Sequence, residues 1–341
     1  MPETLADLGE FGLIDRLNKL VQRVGVQGPR LSLGIGDDAA CFRPHDGYEL
    51  LITCDCVVEG RHYLPDHIVP QDLGRRAMAL NISDIGAMGG RPLYALISLG
   101  LKNDTPIADV EAMYHGFLSE LNPFEASIIG GNLTKSGNGL FIDITLIGEV
   151  EQGKMIRRST AQKGDAILIT GYPGQAALGL ELLLHAGMDE DLGDHPLVRA
   201  YNTPTHRAWE GRAVAQSGYA TAMIDTSDGF LGDLGHLCEE SDVGALLVQE
   251  KFPVSDDLIG ASEQLGIDPY KAVLGESDDY ELIITCDPEN VGRIRAILGS
   301  LNKGSVSEVG TITDPSDGIR LILPDGTTQA MAPSGWDHFA K

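Results

Sequence analysis

Residues 221–237, "TAMIDTSDGFLGDLGHL", read as a buried strand that breaks off at two carboxylates and restarts as a helix. Ala222, Met223 and Ile224 are the apolar lead-in; Asp225 and Asp228 follow, with Ser227 and Gly229 beside them. Two carboxylates three residues apart at a strand end repel each other, and a buried carboxylate without a partner is costly. The same strand–loop–helix rhythm continues on both sides. Downstream come a helix from about 229, strand "ALLVQ", a helical stretch to about 275, strand "YELIITC", a helix near 288–299 and further short strands. Upstream lie strand "YATAMID", helices within 174–217 and strand "AILIT". Strands alternating with helices imply an α/β or α+β architecture.

The first half repeats the alternation. Residues 9–24 read as a helix, 49–58 ("ELLITCDCVV") as a strand, and 70–90 as a helix opened by Pro70 and closed by a glycine pair. A strand at 92–101, a helix over about 106–122 and the β runs "EASIIGG" and "GLFIDITLIGEV" complete it. The polar stretch 151–165, without apolar period, marks a domain joint, so two domains are expected, 1–150 and 151–341. A chain of 341 residues fits that division.

Fifty acidic against 25 basic residues, a net charge of −25, leave no basic face for nucleic acid. No apolar run approaches the roughly 18 residues of a membrane span, and the acidic N-terminus is not a secretory signal. Of five cysteines, Cys54 and Cys56 flank Asp55, but no second pair completes a zinc site. They read as reduced thiols in or near buried strands of a cytoplasmic protein.

Acids recur inside apolar or glycine-rich surroundings: Asp37 and Asp38 in "LGIGDDAACF", Asp55 in "LITCDCVV", Asp84 in "ALNISDIGAMGG", then Asp225 and Asp228. Singly each has an ordinary explanation, such as a turn cap at Asp38 or a helix cap at Asp228-Gly229. Together they ask for cations. Oxygen-only donors, with Thr53 and Ser227 adding hydroxyls, suit Mg²⁺ rather than zinc or copper. Mg²⁺ held by carboxylates commonly presents a polyphosphate. There is no P-loop motif, but Gly130-Gly131, followed by Thr134, Lys135 and Ser136, offers amides to an anion, and Arg157 and Arg158 are basic neighbours for phosphate. "NISDIG" (81–86) and "DTSDGF" (225–230) share an Asn/Asp-x-Ser-Asp pattern, each read as lying where an element begins or bends.

The series "GIGDDAA", "TCDCVVEGRHY", "MALNISDIGAMGGRP", "IIGGNLTKSG", "RRSTAQKGD", "IDTSDGFLGDLGHL", "DDYEL" and "GWDHF" resembles, in this order and over about 10–339, the thiamine-monophosphate kinases of the aminoimidazole-ribonucleotide (AIR) synthase superfamily. The resemblance implies a two-domain AIR-synthase-like fold, with an ATP- and metal-binding N-terminal domain that pairs with its copy in a dimer barrel. It implies transfer of the ATP γ-phosphoryl group to thiamine monophosphate, with several Mg²⁺ ions. Carried over by motif, Asp38, Thr53, Asp55, Asp84, Asp225 and Asp228 would hold metal, with Asp38, Asp55, Asp84 and Asp228 central to catalysis. Gly131, Asn132, Arg158 and Ser227 would meet ATP, while His62, Asp278 and Trp336 would face the thiamine substrate. Two positions depart from the pattern. Asn132 stands where the family has Asp, and "ESDDYEL" replaces "GGEDYEL", which puts Asp278 in place of Glu and Ser277 in place of Gly. These departures keep two alternatives open: another ATP-dependent enzyme of the superfamily with a different small acceptor, or a paralogue that binds nucleotide without catalysis.

Overall fold

A computed structural model describes residues 3–26, 28, 30–35, 39–186, 192–301 and 305–336. The chain forms two compact units, one of Met1–Ile85 with Gly90–Gln152, the other of Gly86–Gly89 with Gly153–Lys341.

In the first unit, α1 (Leu5–Val24) precedes the short antiparallel pair β1 (Leu31–Leu33) and β2 (Cys41–Phe42), then β3 (Tyr48–Val58) and α2 (Pro70–Ala87). β4 (Arg91–Leu101), α3 (Ile107–Leu121), β5 (Ser127–Lys135) and β6 (Phe141–Glu151) follow. The sheet order is β3-β6-β4-β5, antiparallel except where β5 lies parallel to β4 after the crossover through α3. Period-two alternation assigns the faces of β3. Leu51 and Val57 are buried, whereas Leu50, Ile52, Cys54, Cys56 and Val58 point outward. α2 and α3 cross where neither carries a side chain. A Cβ on Gly74 would lie 2.1 Å from the Met113 carbonyl oxygen, and one on Gly116 2.1 Å from that of Gln71.

The second unit contains β7 (Ala166–Thr170), α4 (Gln175–His185), α5 (Pro196–Asn202), α6 (Ala208–Ser217), β8 (Ala220–Asp225), α7 (Phe230–Ser241) and β9 (Gly244–Val248). α8 (Asp256–Leu265), α9 (Pro269–Leu274), β10 (Leu282–Cys286), α10 (Val291–Ser300), β11 (Val306–Thr313), β12 (Ile319–Ile322) and β13 (Thr328–Met331) complete it. Its seven strands run β13-β12-β9-β11-β7-β10-β8, with only β12 and β9 parallel. β7 and β10 are buried at every residue, and Leu168, Ile284, Val214 and Ile294 centre a core between sheet and helices. β8 therefore sits at the sheet edge and delivers Asp225 at its last position. Among the described residues no helix is long and apolar enough to cross a membrane.

Three local expectations change. Gly130-Gly131 lies inside a longer strand than the β run "EASIIGG": β5 continues through Lys135, because β4 supplies a ladder as far as Leu101↔Lys135. "NISDIG" neither begins nor bends an element; it lies within α2, whereas "DTSDGF" spans a strand end and a loop. Cys54 and Cys56 are exposed thiols on the outward face of β3, while Cys238 and Cys286 are buried.

Candidate active site

In the first unit, β3 and α2 bring three of the expected ligands together. Thr53 and Asp55 lie on the inward side of β3, partly shielded, and the Thr53 hydroxyl donates to Asp84 of α2 in a short hydrogen bond. Fully buried Asn81 stands one helical turn before Asp84 and accepts the Asp55 amide at 3.3 Å, so it fixes the strand register at the ligand. Asp37 and Asp38 lie outside the described residues. Gly131 is set by contact: its φ is +155°, and a Cβ would fall 1.9 Å from the Ile97 carbonyl oxygen. Asn132 is exposed beside it. Ser98 pairs with Asn132 on one side and with Asp143 on the other, so these three share one row across the sheet. His62 closes the turn after β3, its Nδ1 accepting the Val58 amide at 2.9 Å.

In the second unit the loop after β8 is built from both directions. Asp225 is buried at 5% exposure; Ser227 and Asp228 are partly exposed. Gly229, at φ +114°, passes so close to α9's end that a Cβ would lie 2.1 Å from the Gly275 carbonyl oxygen. Asp233 in the first turn of α7 reaches back and accepts the amides of Asp228 and Gly229, each at 3.1 Å. Burial, and then the neighbouring Asp225 and Asp228, push the Asp233 carboxyl up to about 8 despite those two bonds. The segment after β13 crosses α7 at its glycines. Gly335 packs on Gly232, Pro333 on Gly235, and the Trp336 amide donates to the Asp228 carbonyl at 3.1 Å. Between them opens a pocket of about 630 Å³ lined by Asp228, His236, Cys238, Glu239, Met331 and Trp336, among others. Asp228 and Trp336, 108 positions apart by number (336 − 228), thus share one pocket.

Arg158 is exposed, and its carbonyl accepts the Ser241 hydroxyl at 2.7 Å; the Arg157 carbonyl accepts the amide of Met223 in β8 at 3.3 Å. In "ESDDYEL", Ser277 and Asp279 cap α4. Ser277 accepts the Ala177 amide at 3.1 Å, and Asp279 accepts those of Gly174 and Ala176 at 2.5 and 2.8 Å. Ser277 therefore has a defined task, and Asp278 between them is partly exposed. Sequence reasoning missed Asn81, Asp233 and Glu281. Asp233 carried a usable signal, an acid in the first turn of a helix that follows a glycine.

The donors fit a hard divalent cation. They are carboxylate and hydroxyl oxygens, and Asp225 and Asp228 lie near enough to raise the Asp233 carboxyl, a crowding of acids that a cation offsets. Among the described residues no three His, Cys, Asp or Glu side chains already converge as a metal cage. Mg²⁺ needs none, since it is usually held by one or two carboxylates together with waters and substrate phosphates.

The family model for the N-terminal domain of AIR synthase related proteins matches residues 36–150, and that for the C-terminal domain matches 162–322. The chain is 33% identical over 335 residues to a thiamine-monophosphate kinase of Aquifex aeolicus (strain VF5), covering 98% of this chain and 99% of that one. The crystal structure of thiamine-monophosphate kinase from Stenotrophomonas maltophilia K279a is similar with a TM-score of 0.79 at 32% identity, over 94% of this chain and 97% of that one. The solved structure of AaThiL complexed with AMPPCP and TMP gives 0.76 at 32% identity, over 99% of both chains.

Proposed function

The chain belongs to the thiamine-monophosphate kinases of the AIR synthase related family, and from that membership we propose that it phosphorylates thiamine monophosphate to the diphosphate at the expense of ATP. The observation that carries the reading is the loop after β8, where Asp225, Ser227 and Asp228 are presented together beside the Trp336 pocket. Thr53, Asp55, Asp84, Asp225 and Asp228 would hold Mg²⁺, with Asp38 assigned by motif. Bound Mg²⁺ supplies charge neutralisation of the polyphosphate. Ser227, Arg158, Gly131 and Asn132 are assigned to the nucleotide. His62, Asp278 and Trp336 are assigned to the acceptor.

The acceptor is itself a phosphate. One of its oxygens attacks the γ-phosphorus in line, a new P–O bond forms, and the bond to the β–γ bridging oxygen breaks to release ADP. An oxyanion needs no general base, so the residues act by orienting the two phosphates and excluding water. We place the ATP- and metal-binding half in 1–150 and the second half in 151–341, supported by units that divide at Gln152–Gly153 and by family matches over 36–150 and 162–322. The outward face of β3, with Ile52 at 68% and Leu50 at 42% exposure, supports pairing of two copies through this sheet. Five free thiols support a cytoplasmic setting.

A second reading, a different small phosphate acceptor, is favoured by Asn132 and Asp278. The test is ADP release from MgATP with thiamine monophosphate, with thiamine, with AIR-pathway substrates and with no acceptor, the product identified by mass. Turnover specific to thiamine monophosphate, abolished by Asp228→Asn in a folded protein, is the expected result. Bound nucleotide with no ADP release beside thiamine monophosphate would overturn it.

A further inference from the structure

Thr226 stands between Asp225 and Ser227 and is 1% exposed. Three hydrogen bonds tie it to one short segment. Its amide donates to the Glu281 carbonyl at 2.8 Å, its hydroxyl accepts the Glu281 amide at 3.0 Å, and its carbonyl accepts the Tyr280 amide at 2.9 Å. Tyr280 adopts φ +54°, a left-handed conformation that a bulky aromatic holds only when its surroundings impose it.

The surroundings that impose it converge on the Glu281 carboxylate. At the N-cap of α6, Arg207 donates through Nε to Oε2 at 2.6 Å and through Nη2 to Oε1 at 2.5 Å, a bidentate fork. The Thr170 hydroxyl at the end of β7 donates to Oε2 at 2.5 Å and accepts the Leu282 amide at 2.8 Å. Next in the chain is Gly171, where a Cβ would fall 1.9 Å from Oε1. Glu281 is 5% exposed. The end of β7 and the N-cap of α6 thus meet at one carboxylate, and the backbone of the same residue grips Thr226, between two expected ligands.

A buried ion pair is weak evidence for stability, since apolar side chains of similar volume commonly replace such pairs without loss. What apolar packing does not reproduce is the fixed direction of a bidentate fork. We propose that Glu281 is a positioning residue: clamped by Arg207 and Thr170, it holds Tyr280 and its own backbone so that Thr226 sets the Asp225–Asp228 loop to receive the metal–nucleotide. This rests on the kinase reading for its ligand. Its effect is read first on the nucleotide side of the reaction, because Thr226 lies between Asp225, assigned to metal, and Ser227, assigned to the nucleotide, whereas only Asp228 at the far end of the loop lines the pocket beside Trp336.

The test compares wild type with Thr226→Val, Thr226→Ser and Glu281→Gln. Mg-AMPPCP affinity is measured by calorimetry without acceptor, alongside melting curves and separate KM values for MgATP and thiamine monophosphate. At a temperature where all are folded, Thr226→Val and Glu281→Gln weaken Mg-AMPPCP about tenfold or more and raise the KM for MgATP more than that for thiamine monophosphate. Thr226→Ser, which keeps the hydroxyl, restores affinity. Folded variants with wild-type Mg-AMPPCP affinity overturn the proposal, whether or not they melt earlier. A wild type that binds Mg-AMPPCP yet transfers nothing to thiamine monophosphate defeats the kinase reading instead, and the affinity comparison still decides this one.

Discussion

Gly232→Ala separates the stability of α7 from the seating of the segment that carries Trp336. Alanine in place of glycine favours a helix by about 0.5–1 kcal/mol, so the substitution by itself does not weaken α7. The new methyl, however, would lie 2.8 Å from the Cα of Gly335 and 3.2 Å from its amide nitrogen. Those are backbone atoms, so the crossing segment must lift. Lifting it breaks the Trp336 amide to Asp228 carbonyl bond of 3.1 Å. A hydrogen bond of this kind contributes about 0.5–1.5 kcal/mol, equivalent to roughly a two- to tenfold change in affinity. The expected outcome is a melting temperature close to wild type, since the helix gain and the lost bond are of similar size, with the KM for thiamine monophosphate raised about fivefold, more than that for MgATP. Gly260→Ala in α8 is the control, because nothing lies within 4 Å of its Cβ; it shares the helix gain and leaves both KM values alone. An acceptor KM equal to wild type in folded Gly232→Ala would refute the reasoning.

Two further outcomes follow from single groups. Asn132→Asp restores a charge on exposed β5 and lowers the Mg²⁺ concentration for half-maximal activity by about fivefold, the worth of roughly 1 kcal/mol for two charges a few ångströms apart in water; an unmoved midpoint would argue that Asn132 faces no metal. Burial raises the Asp279 carboxyl from 3.8 to about 6, against the amides it accepts. Between those values the folded state keeps a proton that the unfolded state has lost, so this group's contribution to stability is present below about 4 and lost as pH rises to about 6. Melting temperatures of Asp279→Asn relative to wild type should therefore shift in the variant's favour from pH 4 to 6.5, and parallel profiles would contradict the burial effect.

Much of the architecture was legible because it is written in local pattern. The alternation along "ELLITCDCVV" yields a strand wherever it is placed, and "AILIT" and "YELIITC" are apolar enough to be interior strands. Pro70 and the Gly89-Gly90 pair bracket α2. The acids Asp55, Asp84, Asp225 and Asp228 stood out for a related reason, since acids amid apolar residues are anomalous in any fold. The faces of β3 were not. Period two says that Cys54 and Cys56 share a side with Ile52, but which side is covered depends on where α2 and α3 pack. The length of β5 was not legible either: the β run that ends at Gly131 continues to Lys135 only through the ladder that β4 offers.

By itself, then, the sequence determined the order of strands and helices, the places of the acids and the family. Tertiary structure alone decided what holds the donors in place. Thr226 and Glu281 are separated by 55 residues and Arg207 and Glu281 by 74, while Trp336 reaches Asp228 from the far end of the chain. Such pairs leave no period and no spacing in the sequence. Their geometry appears only when sheet order and helix crossing bring distant backbone to within a hydrogen bond's length.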